Sequence, residues 1–295
     1  MKNLVCLLLL LMSSVHVDGQ STDFRKQRVQ LFVFNAGFNG LVGGVGSLIN
    51  KQANVSGFRA FTKGFYKGAI GGAISHTGLS LTHQIQTKQN IAYAWPARLI
   101  NSFGSSIIQN AAENRRMFER LHLNLFVTRL EYYPYQQRLS ARLFTSSLYG
   151  ILIVGKNARF DLKKSLQTGI LYFESNQNFR LAGLGRSSIA ATGQVSSIGM
   201  TESLTGDDFY NVYAEEVAHI LQYDRKVGGN ALLLKAHQHF NEKSKAYSFL
   251  SKYIYFDLNG PVFWLAYKME GSDVTCNFFE QEAIHYSYRS ALRCN

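Results

Sequence analysis

Apolar and small residues recur at helical spacing in two stretches near the start of the chain, 31–50 and 58–85. Within them Ala36, Gly40 and Gly44, and then Gly64, Gly68 and Gly72, fall at every fourth position, so each series lies on one helical face. Two such faces can approach to backbone contact, which predicts a tightly packed, glycine-rich helical hairpin over 20–89. A third helix is predicted from Pro96 to about Arg120. Proline suits a first turn, and Leu99, Phe103, Ile107 and Ala111 then keep a helical period.

Beyond His122 the period shortens. To about Met200 apolar residues alternate with polar ones, as in Leu123-Asn124-Leu125-Phe126-Val127, and Leu148–Val154 and Ile170–Phe173 read as further strands. Turn signals separate them at Gly155-Lys156-Asn157 and Ser175-Asn176-Gln177-Asn178. This predicts a central sheet of antiparallel strands. Helix returns at Asp207 or Asp208, either of which can cap a first turn, and Tyr210, Tyr213, Ala214, Val217 and Leu221 form its apolar stripe. Gly228 and Gly229 supply the stop. A further helix over Ala231–Ser251, an aromatic segment Tyr253–Lys268 broken at Asn259-Gly260-Pro261, and a last helix around Glu280 complete the chain. The fold class is α+β, with the hairpin preceding one main domain over 90–295.

The first residues change the expected setting. Lys2, the apolar run Leu4–Met12 and a small, polar region ending at Gly19 have the layout of a secretory signal peptide over 1–19, leaving Gln20 as the new N-terminus. The apolar run is too short to span a bilayer, and Cys6 lies too early for a lipid-anchor cleavage site. Export is therefore expected, to a periplasmic, outer-envelope or extracellular location. Processing leaves Cys276 and Cys294 in an oxidising compartment, either bridged or as two free thiols. A hydrophobic content of 46% excludes a disordered chain.

The formal net charge of +12 favours anionic surroundings such as membrane surfaces, lipopolysaccharide or acidic polymers. Basic residues cluster only at Arg115-Arg116 and Lys163-Lys164 and accompany no nucleic-acid motif, so a specific nucleic-acid partner is not expected. Residues 31–50 carry no charge but include Asn35, Asn39 and Asn50, and the second segment holds Lys63, Lys67, His76 and His83. These polar groups weigh against spanning and leave membrane association through residues 31–85 as the alternative.

Candidate chemistry sits in Glu215-Glu216-Val217-Ala218-His219-Ile220-Leu221-Gln222 and in Asn277-Phe278-Phe279-Glu280-Gln281-Glu282-Ala283. Side chains at i and i+4 leave the same face of a helix, as two metal ligands must, and a glutamate at the position between can take a proton from water. Together the segments resemble the gluzincin-type metallopeptidases, whose HExxH helix is followed by a later helix supplying a glutamate. Gln222 and Tyr223 also look like the HExxHxxQY variant of uncharacterised secreted proteins of Gram-negative bacteria. The resemblance implies a zincin-like active-site helix with Glu216 as general base, His219 as second ligand and Glu280 as third. Glu215 stands where the first histidine is expected, and Ile284 where those families often have aspartate.

A Glu215/His219/Glu280 set can hold Zn2+, and its two carboxylates shift preference toward a harder ion such as Mn2+. The implied function is a secreted metallopeptidase-like protein, impaired or active, acting on a polypeptide. The alternatives are a noncatalytic module bound to an envelope component and a membrane-associated structural protein built on the hairpin. His237 and His239 diverge on a helix, and His285 points away from Glu280. Gly183-Leu184-Gly185-Arg186-Ser187 lacks the spacing of a dinucleotide loop.

Overall fold

A computed structural model describes residues 24–180, 187–193, 196–225, 228–260 and 277–287. The signal segment, Cys276, Cys294 and the loop 183–186 lie outside them. The chain is α+β. Helices α1 (Phe24–Ile49) and α2 (Gly57–Ser80) form the hairpin, followed by a short α3 (His83–Thr87) and by α4 (Ala94–Ala112). Strands β1 (Leu121–Leu125), β2 (Thr128–Tyr133) and β3 (Arg138–Phe144) lead to α5 (Thr145–Val154). Then come β4 (Arg159–Asp161), α6 (Leu162–Thr168), β5 (Leu171–Ser175), and the short β6 (Phe179–Arg180) and β7 (Ser187–Ser188). Strands β8 (Ala190–Gly193) and β9 (Ser197–Thr201) precede α7 (Gly206–Arg225). The remainder is α8 (Gly228–Leu232), α9 (Leu234–Lys243), α10 (Lys245–Tyr253), β10 (Ile254–Tyr255) and α11 (Phe278–Tyr286).

The hairpin packs backbone to backbone. A Cβ added at Gly64, Gly68 or Gly72 would fall closer than 3.0 Å to the carbonyl oxygens of Gly43, Asn39 and Asn35 respectively. The expected ladder on α2 is therefore the contact. On α1 the closest approach is shifted back by one residue from the expected series, because Gly40 and Gly44 instead receive the rings of Phe65 and Phe61. A second glycine face of α2, at Gly71 and Gly78, meets α4 at Gly104, Ile108, Ala97 and Asn101. Lys26–Ile49 is long and apolar enough to cross a membrane by length and composition, a test that a core helix or a signal sequence also passes; 44% of an apolar 18-residue stretch within it is buried in the protein.

Helix α4 is central, and its buried face is polar. Arg98, Asn101, Ser102, Ser105 and Gln109 are buried, whereas Leu99 and Phe103 of the expected apolar stripe stand in solvent and only Ile107 and Ala111 go inside. The predicted helix also ends early, at Ala112 instead of near Arg120, where Asn114 takes a left-handed backbone with φ of 58°.

Instead of one antiparallel sheet there are two four-stranded mixed sheets. The first has the order β1-β2-β3-β10, with β10 parallel to β3; the second has the order β4-β5-β9-β8, with β5 parallel to β9. Leu148–Val154, expected as a strand, is helix α5, since a uniformly apolar run of this length has no period to distinguish the two. The expected helix over Ala231–Ser251 is broken into α8, α9 and α10, with Ser244 in an extended conformation capping α10.

Helix α7 covers one face of the second sheet. Tyr213, Val217 and Leu221 share a core with Tyr172, Ala190, Ile198 and Met200. Val154 of α5 packs with Phe173 and Ala191 on the other face. In the first sheet the alternation is inverted. His122, Asn124, Arg129 and Glu131 are buried beneath α4, while Tyr132, Leu139 and Leu143 on the other face are 43%, 68% and 37% exposed.

The glycine contacts make a paired prediction. Gly68→Leu should lower stability by about 1–3 kcal/mol or more, since Asn39 offers only backbone to move. Gly37 has nothing within 4 Å of an added Cβ. Gly37→Ala should therefore be neutral or stabilise by about 0.5–1 kcal/mol. Urea unfolding followed by circular dichroism measures both.

Candidate metal centre

Positions i, i+4 and i+7 of α7 place Glu215, His219 and Gln222 along the side that meets α11. Asn277 starts α11, its side chain accepting from the N–H of Phe279 at 2.9 Å, and Glu280 lies in the first turn. One ligand atom from each of Glu215, His219 and Glu280 lies within 4.8 Å of the other two. The three residues that the motif spacing predicted as ligands are thus brought together, each half-buried.

The geometry fits a divalent ion. His219 Nε2 and Glu280 Oε2 are 3.3 Å apart. Two ligands each about 2.0–2.1 Å from a tetrahedral zinc stand about 3.3–3.4 Å from one another. The other imidazole nitrogen, Nδ1, is 3.0 Å from Gln222 Oε1. Gln222 Nε2 already donates to the Phe279 carbonyl and to Glu282 Oε2, both at 2.9 Å, so the amide oxygen faces His219 and Nδ1 must be the donor. In neutral His219 the lone pair then sits on Nε2, toward Glu280, as an acceptor on the far nitrogen of a metal-binding histidine arranges it.

Burial pulls the His219 imidazole down, but Glu280, Glu216 and Glu215 together outweigh it and raise it to about 10. In the metal-free protein the ring therefore holds a proton against Glu280. A divalent cation can replace that proton as the charge between the same donors.

Glu216, one position along α7 from Glu215, reaches β8 and stays within electrostatic range of His219, Glu215 and Glu280. Its carboxylate accepts a hydrogen bond from the Thr192 hydroxyl. Burial pushes Glu216 up to about 7; Glu215 and Glu280 add to this, and His219 and the Thr192 hydroxyl oppose it. Burial also raises the Tyr223 hydroxyl, as do the carboxylates of Glu280 and Glu216. It keeps its proton at neutral pH.

Glu282 carries the support and was not singled out by the motif spacing. It is 1% exposed and accepts from Asn35 Nδ2 at 2.7 Å, Gln222 Nε2 at 2.9 Å and Arg225 Nη2 at 2.8 Å. A buried carboxylate two residues beyond a ligand on a short helix is visible in Glu280-Gln281-Glu282, but its partner Asn35 is too distant in sequence to have been inferred. Thr192 had no sequence signal. His285 Nδ1 lies 3.2 Å from Gln27 Oε1, away from the cluster. His237 is engaged by Tyr247 at 2.8 Å and Asn241 at 3.0 Å. No known family, curated protein or solved structure matches this chain.

Glu282→Leu leaves Arg225, itself 1% exposed, without its counter-charge, and should cost about 3–5 kcal/mol of stability. Arg225→Met combined with Glu282→Leu removes both charges and should cost less than Glu282→Leu alone. Denaturant unfolding of the three variants beside wild type measures the difference.

Proposed function

We propose that this protein is an exported, metal-dependent peptidase of gluzincin-like design, with Glu215, His219 and Glu280 as ligands and Zn2+ as the ion. The observation that carries the reading is the convergence of three donors from two helices, with the His219 tautomer fixed by Gln222 so that Nε2 faces Glu280. Export rests on the Lys2, Leu4–Met12 and Gly19 layout of the first residues.

A bound divalent ion supplies Lewis-acid polarisation of the scissile carbonyl. Glu216 takes a proton from the attacking water and returns it to the departing amine, which a carboxyl raised to about 7 can do at neutral pH. Thr192 holds that carboxylate in one orientation. Gln222, anchored by α11, keeps the His219 ring from turning. Two carboxylate ligands neutralise the ion more fully than one, so turnover is slower than with a histidine at position 215, and Mn2+ is the alternative ion.

Elemental analysis of the purified protein should find about one divalent ion per chain, in keeping with a three-ligand site. His219→Ala and Glu280→Ala should lose it. Glu215→His should tighten zinc binding and raise hydrolysis of an unstructured protein substrate, and adding Glu216→Gln should abolish hydrolysis while the ion stays. Zinc and manganese binding at background level in both wild type and Glu215→His would overturn the reading.

A further inference from the structure

The first sheet presents to solvent a face on which strand positions without charge follow one another across three strands. Leu121 pairs with Tyr132 and Leu123 with Leu130; beyond them Tyr132 pairs with Leu139 and Thr128 with Leu143. All side chains of this phase point to the same face, because alternate residues of a strand share a side. The opposite phase holds Arg129, Glu131 and Arg142, which are turned inward. A sheet with one open face ordinarily turns its polar side to water. Here the reverse holds, and the apolar face has a solvent other than water to meet.

The rim of this face is aromatic and basic. The turn between β2 and β3 is Pro134-Tyr135-Gln136-Gln137, with Tyr135 61% exposed. Arg116 lies over the Tyr135 ring at 5.3 Å. Phe118, in the segment leading into β1, stacks on Phe103 of α4 at 5.9 Å, and both rings are exposed. Tyrosine and arginine around an apolar plate match the boundary of a bilayer, where rings sit at headgroup level and cations meet lipid phosphate.

We infer that this sheet face is a docking surface for an anionic phospholipid bilayer, with Leu139, Tyr132 and Leu143 entering the acyl boundary and Arg116 meeting headgroups. The plate is too small for the other obvious occupant, a second copy. Three strands of five residues cover about 14 by 17 Å, or about 240 Å², at ordinary strand spacing and rise. A stable dimer needs roughly 800 Å² from each partner. A bilayer has no such threshold, and a net charge of +12 supplies the long-range attraction.

Flotation with vesicles tests the assignment. The purified protein should float with vesicles of phosphatidylglycerol and phosphatidylcholine in equal parts, and should do so poorly with phosphatidylcholine alone or at high salt. Leu139→Glu should reduce the bound fraction by about tenfold, as expected when a charge enters an interfacial apolar face. Arg116→Gln should weaken the preference for the anionic lipid. Val33→Glu, on the exposed side of α1, should float as wild type does. Metal content and melting temperature of Leu139→Glu should equal those of wild type, which separates this test from that of the metal site. Absence of flotation, flotation of Leu139→Glu equal to wild type, or loss of flotation in Val33→Glu would each overturn the assignment. So would a wild-type dimer that Leu139→Glu converts to monomer.

Discussion

A carboxylate with 1% of its surface in water must be satisfied by protein, and Glu282 is satisfied by α1 and α7. Its Oε1 takes Asn35 from the glycine hairpin; its Oε2 takes Gln222 and Arg225 from the helix that carries the candidate ligands. Desolvating such a group is expensive, so the three helices are held where those donors reach it. Gln222 then has its amide orientation decided for it, and through that amide the tautomer of His219 is decided as well. Glu280 is on the same short helix as Glu282 and inherits its position. The candidate metal centre is in this sense a by-product of one buried ion pair and two amides.

The same logic operates on a larger scale between α4 and the first sheet. Asp224 accepts from Asn101 at 3.1 Å, Ser102 at 3.2 Å and Asn124 at 2.5 Å, while Arg129 reaches Glu131, Asn124 and Gln109. Burial pushes Glu131 up, yet Arg120, Arg129 and Arg142 prevail and hold it below the ordinary carboxylate range. Burial also raises Asp224, against Arg129 and Arg98. A one-residue slip of β2 would turn Arg129 and Glu131 outward and bring Leu130 and Tyr132 inward, leaving Gln109 without Arg129. Charge, not apolar packing, sets the register here, which explains how the leucine face came to be outside.

The sequence was legible where one pattern had one structural meaning. The four-residue glycine spacing found the hairpin, and the stripe Tyr213, Val217, Leu221 found α7 and its buried side. The i, i+4 spacing of Glu215 and His219, with Glu280 downstream, found the three residues that meet. Failures came where two structures share a pattern. Leu148–Val154 is apolar throughout and became a helix. Leu99 and Phe103 kept a helical period but face outward, because Arg98, Asn101 and Ser102 have partners inside. Alternation in β1 and β2 was visible without disclosing which side is buried. The parallel pairings of β3 with β10 and β5 with β9 rest on contacts far apart in the chain, which local periodicity does not report.

The bond between Asn35 and Glu282 joins residues 247 positions apart. Loop closure over that distance is entropically costly and slow, so it comes after the local hairpin contacts and not before them. An early species with α1 and α2 paired but Asn35 not yet joined to Glu282 is the expected consequence, with the α11-facing side of the hairpin still wet. The hairpin acquires its final order only once α11 has formed, and the candidate donors assemble in that same step. Truncation at the C-terminus would therefore undo the beginning of the molecule as much as its end.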